Sequence, residues 1–445
     1  MKVSVIGTGY VGLVSGVCLA EKGHEVICVD VDQQKVDKIN QAIPPIYEKG
    51  LGELLKKNIG IRLTATTDLT QAVLDTELSL IAVGTPFDGS AIDLRYIKEV
   101  SRQIGCALRN KDAYHVVVVK STVVPGTTDD VVRPILEESS EKQAGLDFGV
   151  GMNPEFLREG EAVQDFMAPD RIVLGGIDDK TLEVMSRLYA VFEGVDTVRT
   201  TAKTAEMIKY TANALLATMI SFSNEVGNLC TALGGIDVVD VMRGVHLDKR
   251  LSPIMPNNER LVPAFTTYLE AGCGFGGSCF PKDVKALIAH GKEAGRPMQL
   301  LDSVIQVNEQ QPQQVLAILQ KYFPSLAGVR VAVLGLAFKP GTDDMRESPA
   351  IPIVQHLLAE QARIKAYDPI ANAEAKRLFG NSQIVYYDDL QETVSDVEVV
   401  VLLTRWGEFQ ALPQVLESLP NPPLVIDGRR MLPKQSVAKY DGIGL

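Results

Sequence analysis

The segment that most constrains the fold is glycine-rich and lies near the amino terminus, Gly7-Thr8-Gly9-Tyr10-Val11-Gly12. It follows a short β-type run from Lys2 to Ile6 and opens a helical pattern that lasts to Leu19. A second β-type run, Glu25 to Asp30, comes next. A strand, a glycine turn, a helix and a second strand in this order predict a βαβ unit. We therefore expect a parallel sheet with helices on both faces.

The three glycines have separate tasks in such a turn. Gly7 makes the tight turn, Gly9 lets the backbone approach a pyrophosphate, and Gly12 lets helix and strand pack closely. The first helical turn, with Tyr10 and Val11, offers N–H groups and a partial positive charge to phosphates. The segment is therefore a candidate dinucleotide site.

Asp30 ends the second strand, where a carboxylate accepts hydrogen bonds from the adenosine ribose hydroxyls. An acid here favours NAD over NADP, because a 2'-phosphate would be repelled. Lys35 either reaches the same ribose or lies on a solvated helix face. FAD uses the same glycine pattern, but the chemistry of the later motifs favours a nicotinamide.

Composition narrows the class of protein. The 445 residues are 46% hydrophobic and 22% charged, with a net charge of -12, so nucleic acid is an unexpected partner. No apolar run of about 20 residues predicts a membrane span, and glycines interrupt the amino-terminal stretch that resembles a signal peptide. The six cysteines form no CxxC motif and do not cluster with the five histidines. We expect a cytoplasmic protein without a metal.

The order of predicted elements gives the domain organisation. Strand-like runs continue to residue 199, a long helix and further helical segments are expected over 200–310, and a second strand-to-glycine turn opens at Val329 to Gly335. The predicted fold class is α/β: two Rossmann-like, doubly wound parallel-sheet lobes joined by a helical middle domain with a long central helix. The predicted domains are 1–199, 200–310 and 311–445.

Cys279 is the candidate nucleophile. Four glycines precede it in the segment from Ala271 to Asp283, and Pro281 with the helical pattern that follows places it at a helix N-terminus. The helix dipole and Lys282 both favour the thiolate. Four other cysteines are read as small buried hydrophobic residues, namely Cys18, Cys28, Cys106 and Cys230.

Several motifs, in order along essentially the whole chain, resemble the UDP-glucose/GDP-mannose dehydrogenase family. They are the glycine turn, Gly84-Thr85-Pro86, the segment Lys120 to Thr128, the segment Asn153 to Gly160, Lys209 with Asn213, the cysteine loop, Gly335 to Lys339, and Arg346-Glu347-Ser348.

The resemblance implies a four-electron oxidation of a nucleotide sugar with two NAD per turnover and a thioester on the cysteine. UDP-glucose is the default substrate and UDP-glucuronate, for polysaccharide biosynthesis, the product. GDP-mannose and a UDP-N-acetyl-hexosamine remain alternatives. A one-step hydroxyacid dehydrogenase would not use Cys279 or a second lobe, and a non-catalytic NAD or sugar-nucleotide sensor would not keep the reactive groups.

The resemblance also assigns catalytic roles. Lys209 and Asn213, four apart on the long helix, hold the oxyanion at the sugar C6. Asp283 orients or deprotonates a water. Glu155 and Glu159 are four apart if their stretch is helical. By resemblance one of them is the acid or base for thioester hydrolysis, with Thr122 on the water, and Glu159 lies near both nicotinamide and sugar.

Each role has a structural alternative. Lys209 with Glu206 would be only a solvated pair on the helix surface. Glu155, Glu159 and Asp283 would be acids in the first turns of helices, where they stabilise the helix dipole.

The ligand contacts that the resemblance implies are more numerous. For NAD, besides the residues of the glycine turn, Asp30 and Lys35, they are Thr85, Thr122, Glu159, Lys282 and Arg346. For the sugar nucleotide they are Phe156, Leu157, Arg158, Glu159, Lys209, Asn213, Arg250, Tyr268, Leu269, Glu270, Ala271, Gly272, Gly276, Lys339 and Arg429. Arg429 is alternatively half of an exposed arginine pair with Arg430.

One segment departs from the family pattern. Members carry an arginine closer to the cysteine, which reaches the substrate across a dimer interface, whereas here residues 254–263 and their surroundings look inserted between Arg250 and Cys279. Arg260, inside the insert, is the rival of Arg250 for this role. The apolar long helix favours a homodimer or higher oligomer.

Overall fold

The computed structural model describes residues 1–380 and 383–445. The chain divides into two compact units, Met1–Ala212 and Asn213–Leu445.

The first unit, all of whose residues are described, is built on an eight-stranded sheet with the order β3-β2-β1-β4-β5-β6-β7-β8. All neighbouring strands are parallel except β6 and β7. The predicted fold class is confirmed, with this antiparallel pair as its one departure. The strands are β1 (Lys2–Ile6), β2 (Glu25–Val29), β3 (Leu63–Thr66), β4 (Leu78–Ile81), β5 (His115–Val119), β6 (Phe148–Met152), β7 (Ile172–Gly176) and β8 (Thr197–Thr200).

Strands β3, β6 and β8 were not predicted. β6 contains Gly149 and Gly151, where a Cβ atom would lie 2.5 Å from Thr181 Oγ1 and 2.5 Å from Met185 Sδ, respectively. Both positions must therefore be glycine, because side chains of the helix Asp179–Tyr189 occupy the adjacent space. The two glycines also interrupt the run of apolar residues by which a buried strand is predicted. β3 and β8 are short strands at the two edges of the sheet.

Helices cover both faces of this sheet. Val116 and Val118 of β5 belong to one buried apolar cluster, and Val117 and Val119 belong to another. Alternation along a single strand between two cores is the mark of a doubly wound sheet. The helices are α1 (Tyr10–Glu21), α2 (Gln33–Asn40), α3 (Leu51–Asn58), α4 (Leu69–Asp75), α5 (Arg95–Arg109), α6 (Arg133–Ser140), α7 (Ala162–Met167) and α8 (Asp179–Tyr189), with a π-helix at Thr127–Val132.

The predicted long helix is confirmed as α9 (Ala202–Leu233), 32 residues without interruption. Helix α9 contains the residue at which the chain divides into its two units. Lys209 and Asn213 both lie on it.

The second unit repeats the plan of the first. Its described residues form a six-stranded parallel sheet with the order β11-β10-β9-β12-β13-β14. The strands are β9 (Arg330–Leu334), β10 (Arg363–Tyr367), β11 (Ile384–Tyr386), β12 (Val399–Leu402), β13 (Leu424–Asp427) and β14 (Tyr440–Gly442). The helices are α10 (Val238–His246), α11 (Phe280–Glu293), α12 (Gln299–Tyr322), α13 (Ala350–Ala359), α14 (Asn372–Phe379), α15 (Leu390–Val394) and α16 (Leu412–Glu417), with short 3₁₀ turns at Ala264–Tyr268, Gly407–Ala411 and Lys434–Ser436.

The turn after the first strand is glycine-based in both units. Gly335 has a φ of +89° after β9, as Gly7 has a φ of +97° after β1. Asp368 follows β10 as Asp30 follows β2. Both oxygens of Asp368 accept hydrogen bonds from its own unit, from the backbone N–H groups of Leu336, Ala337, Ile370 and Ala371 and from Trp406 Nε1.

The insert forms a small hairpin. Ile254 pairs with Arg260 in an antiparallel bridge. Arg260 donates from Nη1 to the carbonyl oxygens of Leu247 (2.9 Å) and Ser252 (2.7 Å). Arg260 therefore holds the hairpin to the end of α10.

No helix in the described ranges combines the length and the apolar character needed to cross a bilayer. Across the same ranges, histidine, cysteine and carboxylate side chains form no cluster suited to a metal ion.

Candidate active site

The glycine turn leaves open space at the start of α1. A Cβ atom on Gly7 would lie 2.7 Å from the carbonyl oxygen of Ala82, and one on Gly12 would lie 1.8 Å from that of Gly7. Gly9, which caps α1, has no atom within 4 Å of the corresponding position. Gly7 and Gly12 are thus required by packing, whereas Gly9 leaves room beside a helix N-terminus. This space fits a dinucleotide pyrophosphate.

Asp30 is held in a fixed orientation beside the turn. Its Oδ2 accepts hydrogen bonds from the backbone N–H (2.9 Å) and hydroxyl (2.5 Å) of Thr8, and its Oδ1 accepts one from the N–H of Asp32 (3.0 Å). Burial acts to raise the pKa of Asp30, but these hydrogen bonds and Lys35 Nζ at 3.8 Å keep it below its ordinary value. A carboxylate with remaining lone pairs suits ribose hydroxyls. Lys35 is thus an ion-pair partner of Asp30 and not only a solvated residue.

Glu48, which we did not predict, connects the glycine turn to the segment before α7. It accepts hydrogen bonds from the hydroxyl of Tyr10 and from the backbone N–H groups of Gly160 (2.7 Å) and Ala162 (2.9 Å). Burial, followed by the interaction with Glu48, raises the pKa of Tyr10. Tyr10 is therefore fixed as a neutral phenol next to the segment that carries Glu155 and Glu159.

The segment Asn153 to Gly160 is a loop, so Glu155 and Glu159 do not have the helical spacing that a helix in this stretch would give them. The next helix begins only at Ala162. Pro154 lies directly before Glu155, and the N–H of Leu157 donates to Oε2 of Glu155 (2.7 Å). A short turn stabilised by its own side chain replaces the helix. Neither glutamate is therefore a helix-start acid.

Glu155 forms a buried ion pair with Lys209. Lys209 Nζ lies 3.0 Å from Glu155 Oε1, and the two side chains are 4% and 6% exposed, respectively. Burial acts to raise the pKa of Glu155, but Lys209, the N–H of Leu157 and Lys120 lower it overall. A surface pairing of Lys209 with Glu206 is excluded, because Glu206 is fully buried and bonds to Gly126 and Thr128.

Lys120 is a second buried cation near Glu155 that sequence reasoning did not assign. Lys120 directly follows β5, and its Nζ donates to Oδ1 of Asn153 (2.8 Å), which directly follows β6. Burial lowers the pKa of Lys120 to about 8. The pattern of buried strand residues that ends at Lys120 was the available signal.

Thr122 lies in the loop after β5, half-buried. Its carbonyl oxygen accepts a hydrogen bond from Thr85 Oγ1 (2.8 Å), and Ser121 Oγ donates to the carbonyl oxygen of Val83 (2.7 Å). These bonds fix the loop to the segment after β4 and bring Thr85 and Thr122, both predicted to contact NAD, into contact with each other.

The remaining loop residues are also engaged. Arg158 pairs with Asp165 and Glu161, and the guanidinium of Arg171 lies 3.9 Å from the ring centroid of Phe156. Leu157 packs partly buried against the first apolar core.

In the second unit, Cys279 is half-buried and caps α11, with Pro281 in the first turn, as predicted. The glycines before it allow close packing. A Cβ atom on Gly276 would lie 2.3 Å from the carbonyl oxygen of Glu347, and the N–H of Gly277 donates to the carbonyl oxygen of Arg346 (2.8 Å). The cysteine loop is therefore seated on the segment that carries Arg346.

Asp283 is 1% exposed, one turn into α11. Its Oδ2 accepts a hydrogen bond from Asn213 Nδ2 (2.7 Å), and its Oδ1 pairs with Lys282 Nζ (2.6 Å). Its N–H donates to the carbonyl oxygen of Cys279 (2.8 Å). A carboxylate that only stabilised a helix would be solvated, whereas this one connects Asn213 to the cysteine turn.

The segment Tyr268 to Gly272 leads into the cysteine loop. The ring of Tyr268 lies 6.2 Å from that of Phe280, Ala271 is buried, and Leu269 is 8% exposed. Glu270 pairs with Arg405, and the N–H of Gly272 donates to Asn224 Oδ1 (2.8 Å). The segment is thereby fixed to α9.

Arg429 is half-buried, which contradicts the alternative of an exposed arginine pair. It donates from Nε to the carbonyl oxygen of Leu403 (2.6 Å) and from Nη1 to that of Gly274 (2.7 Å). Arg430 forms a buried ion pair with Asp237. Arg429 thus supports the cysteine loop, and its contact with a diphosphate stays a prediction.

Other predicted arginines have different surroundings. Arg250 is exposed and pairs with Asp248, and Arg346 pairs with Asp344 through Nε and Nη2. Lys339 Nζ lies 5.7 Å from the ring centroid of Phe338.

Of the four cysteines read as buried, Cys106 is exposed on α5, so that prediction is wrong. It lies among the solvent-facing positions of an amphipathic helix whose buried face includes Ile104, Ala107 and Leu108. Cys18, Cys28 and Cys230 are buried.

Three family models match consecutive parts of the chain: the NAD binding domain of the UDP-glucose/GDP-mannose dehydrogenase family over residues 1–193, its central domain over 203–310 and its UDP binding domain over 332–434.

Similar proteins cover the whole chain. UDP-glucose 6-dehydrogenase AglM from Haloferax volcanii is 41% identical and covers 100% of each chain. GDP-mannose 6-dehydrogenase from Azotobacter vinelandii is 40% identical, again over 100% of each chain. A solved structure of a UDP-glucose dehydrogenase from Pyrobaculum islandicum has a TM-score of 0.89 at 38% identity and covers 99% of this chain and 97% of its own. The chain therefore belongs to the UDP-glucose/GDP-mannose dehydrogenase family, with its NAD-binding domain at the amino terminus.

Proposed function

We propose that the protein is an NAD-dependent UDP-glucose 6-dehydrogenase that forms UDP-glucuronate through a thioester on Cys279. The observation that carries this proposal is the linkage of Cys279, Asp283 and Asn213 at the start of α11. The names of relatives about 40% identical over nearly the full length support UDP-glucose as the substrate. GDP-mannose is the principal alternative substrate, because one relative that is 40% identical is named GDP-mannose 6-dehydrogenase.

The overall reaction converts the C6 alcohol, two NAD⁺ and one water into a carboxylate, two NADH and three protons. NAD, when bound, accepts the hydride in each of the two oxidations. Between them, the Cys279 thiolate adds to the C6 aldehyde and gives a thiohemiacetal, which the second oxidation turns into a thioester. Water then attacks the thioester carbonyl, the C–S bond breaks, and the thiolate leaves.

We assign Lys209 and Asn213 to the oxyanion at C6. An ammonium and an amide N–H are donors that become stronger as negative charge develops on oxygen. Glu155, a carboxylate because Lys209 lowers its pKa, is the base for the attacking water. Thr122 orients that water, Asp283 orients Asn213, and Glu159 contacts both nicotinamide and sugar.

The residues that would hold NAD are those of the glycine turn together with Asp30, Lys35, Thr85, Thr122, Glu159, Lys282 and Arg346. For the sugar nucleotide we assign Phe156, Leu157 and Arg158, the backbone of Tyr268 to Gly272 and Gly276, and the charges of Arg250, Lys339 and Arg429. The matching UDP binding domain over residues 332–434 supports the last two of these charges.

We propose that the protein is a homodimer that uses one face of α9. Leu215, Phe222 and Leu229 are seven residues apart and 59%, 52% and 58% exposed. Apolar residues at this interval form a stripe that an identical helix matches. A second copy of this chain is therefore the expected occupant.

We further propose that the protein works in the cytoplasm. A reducing compartment preserves the Cys279 thiolate that the mechanism requires.

The test is a count of NADH with a panel of sugar nucleotides. UDP-glucose should give two NADH per sugar and an acidic product, with lower kcat/KM for GDP-mannose and UDP-N-acetyl-hexosamines. One NADH with release of the aldehyde would indicate a one-step dehydrogenase. Binding of sugar nucleotide without NADH would indicate a sensor.

A further inference from the structure

Glu206 is a buried carboxylate in the first unit to which the reaction described above gives no role. It lies on α9 one turn before Lys209 and is 0% exposed. Its Oε2 accepts a hydrogen bond from the N–H of Gly126 (2.6 Å), and its Oε1 accepts bonds from the N–H (2.8 Å) and hydroxyl (2.7 Å) of Thr128. One carboxylate therefore holds the backbone of the loop after β5 at two points.

These donors lie where the chain turns sharply into a helix. Gly126 has a φ of +100°, and the π-helix Thr127–Val132 begins directly after it. The first N–H groups of a helix have no partner within the helix, and a carboxylate satisfies them and interacts well with the dipole. π-Helical turns are uncommon and often lie at functional sites.

The loop is anchored at both ends. At its start, Ser121 and the carbonyl oxygen of Thr122 are bonded to the segment after β4. At its end, Glu206 bonds to Gly126 and Thr128. Thr122 therefore lies between two anchors, and the second anchor is on the helix that carries Lys209.

A buried carboxylate is an expensive way to fix a loop. Burial raises the pKa of Glu206 to about 7 although three hydrogen bonds act to lower it. A neutral Ser, Thr or Asn side chain caps a helix without this desolvation cost. A longer, charged acceptor is useful where the spacing between α9 and the loop has to be fixed.

We propose that Glu206 is a positioning residue that sets the distance between Thr122 and the Lys209–Glu155 pair for thioester hydrolysis. The inference rests on the proposed function, in which Thr122 and Glu155 direct the attacking water. Glu206 itself acts only through the loop. Its loss should slow hydrolysis while NAD and sugar nucleotide still bind.

The test compares Glu206→Gln with wild type. The glutamine amide has nearly the same shape as the carboxylate of Glu206. Its NH2 group, however, cannot accept a hydrogen bond and would face the backbone N–H of either Gly126 or Thr128. We expect kcat to fall about 10- to 100-fold, the scale of a displacement near 1 Å. Because the thioester accumulates when its hydrolysis is slow, the KM for the sugar nucleotide should fall together with kcat, and kcat/KM should stay within about twofold. The NAD affinity by calorimetry should also stay within about twofold.

A readout specific to hydrolysis separates positioning from general damage. Slow hydrolysis should give a burst of two NADH per active site and a sugar-nucleotide adduct on Cys279 in the mass spectrum of acid-quenched protein. Thr128→Val removes a single hydroxyl bond and should show the same pattern more weakly, which covers the case in which Glu206→Gln does not fold. Lys203→Met, which removes an exposed ion pair with Asp130 from the same helical turn, is the matched control with unchanged kcat.

Unchanged kcat in Glu206→Gln would overturn the inference. A loss of kcat without burst or adduct, accompanied by weaker NAD binding, would also overturn it, since the role would then be purely structural. If wild type itself fails to form two NADH per UDP-glucose, the proposed function fails and not the inference alone.

Discussion

The ammonium nitrogen of Lys209 lies 3.0 Å from Oε1 of Glu155, and both side chains are almost fully buried. The pair joins α9 to the loop before α7. Lys209 lowers the pKa of Glu155, because a buried charge without a partner is strongly unfavourable. This relationship makes the pH dependence of the reaction predictable.

Lys209→Met removes the cation that lowers the pKa of Glu155. Burial then dominates and the pKa rises, so Glu155 becomes protonated at a higher pH and the acidic limb of the kcat–pH profile should move upward. In addition, kcat should fall about 10²- to 10³-fold with the loss of one oxyanion donor. The measurement is kcat from pH 5 to 9, with Lys203→Met as the control; an unmoved limb would separate Glu155 from the rate-limiting proton transfer.

Cys279→Ala removes the thiol that traps the aldehyde in the proposed mechanism, whereas Asn213, Asp283 and the NAD-binding unit remain. Overall turnover should fall by several orders of magnitude while sugar-nucleotide binding survives. Cys279→Ser should accumulate an ester, visible as a mass increase after incubation with NAD and UDP-glucose. Retention by Cys279→Ala of more than about a tenth of wild-type activity would exclude the thioester mechanism.

Asp30→Asn removes the charge at the end of β2 but keeps an oxygen that can accept from Thr8. The KM for NAD should rise and the preference for NAD over NADP should narrow, because the repulsion of a 2'-phosphate is lost. Asp32→Asn is the matched control, since Asp32 is a nearby exposed acid that caps α2. If the two variants had the same KM for NAD and the same preference for NAD over NADP, Asp30 would not be the residue that binds the ribose.

Phe222→Glu places a charge in the apolar stripe of α9. Sedimentation should show a shift from dimer toward monomer, because an unpaired charge in the centre of an apolar interface is costly. Leu378→Glu, at an apolar position of α14 that is 49% exposed against 52% for Phe222, should leave the mass unchanged. A dimer that persists in Phe222→Glu would place the interface elsewhere.

Arg250 and Arg260 should have different roles, one in ligand binding and the other in stability. Arg250 is 88% exposed at its side chain and available to a ligand, so Arg250→Ala should raise the KM for the sugar nucleotide and leave Tm unchanged. Arg260 supports the hairpin through Leu247 and Ser252, so Arg260→Ala should lower Tm by a few degrees. The measurements are the KM for the sugar nucleotide and the Tm of both variants. A lower Tm in Arg250→Ala together with a higher KM in Arg260→Ala would exchange the two roles.

The sequence predicted those parts of the fold and site that are local. The turn from Gly7 to Gly12, the helix N-terminus at Cys279 and the unbroken helix around Lys209 each depend on residues close together in the chain. Their signals are complete within a short window, and the structure contains all three.

Contacts between distant residues could not be predicted in this way. Glu206 looked like a partner for Lys209 because the two are one helical turn apart, yet it bonds to Gly126, and Lys209 bonds to Glu155. Glu48 gave no signal at all. The strand with Gly149 and Gly151 was not predicted, because these positions have to be glycine to leave room for side chains of α8. Those side chains lie about 30 residues further along the chain, outside the short stretch of sequence from which a strand is predicted.

The five hydrogen bonds that Asp368 accepts within its own unit bear on ligand stoichiometry. The second unit has the same strand order around its first turn as the first unit, and an acid at the same place. That acid, however, has its acceptor capacity occupied by Leu336, Ala337, Ile370, Ala371 and Trp406. A titration with an adenine dinucleotide should therefore saturate at one equivalent per chain, although both sheets have a glycine turn after their first strand.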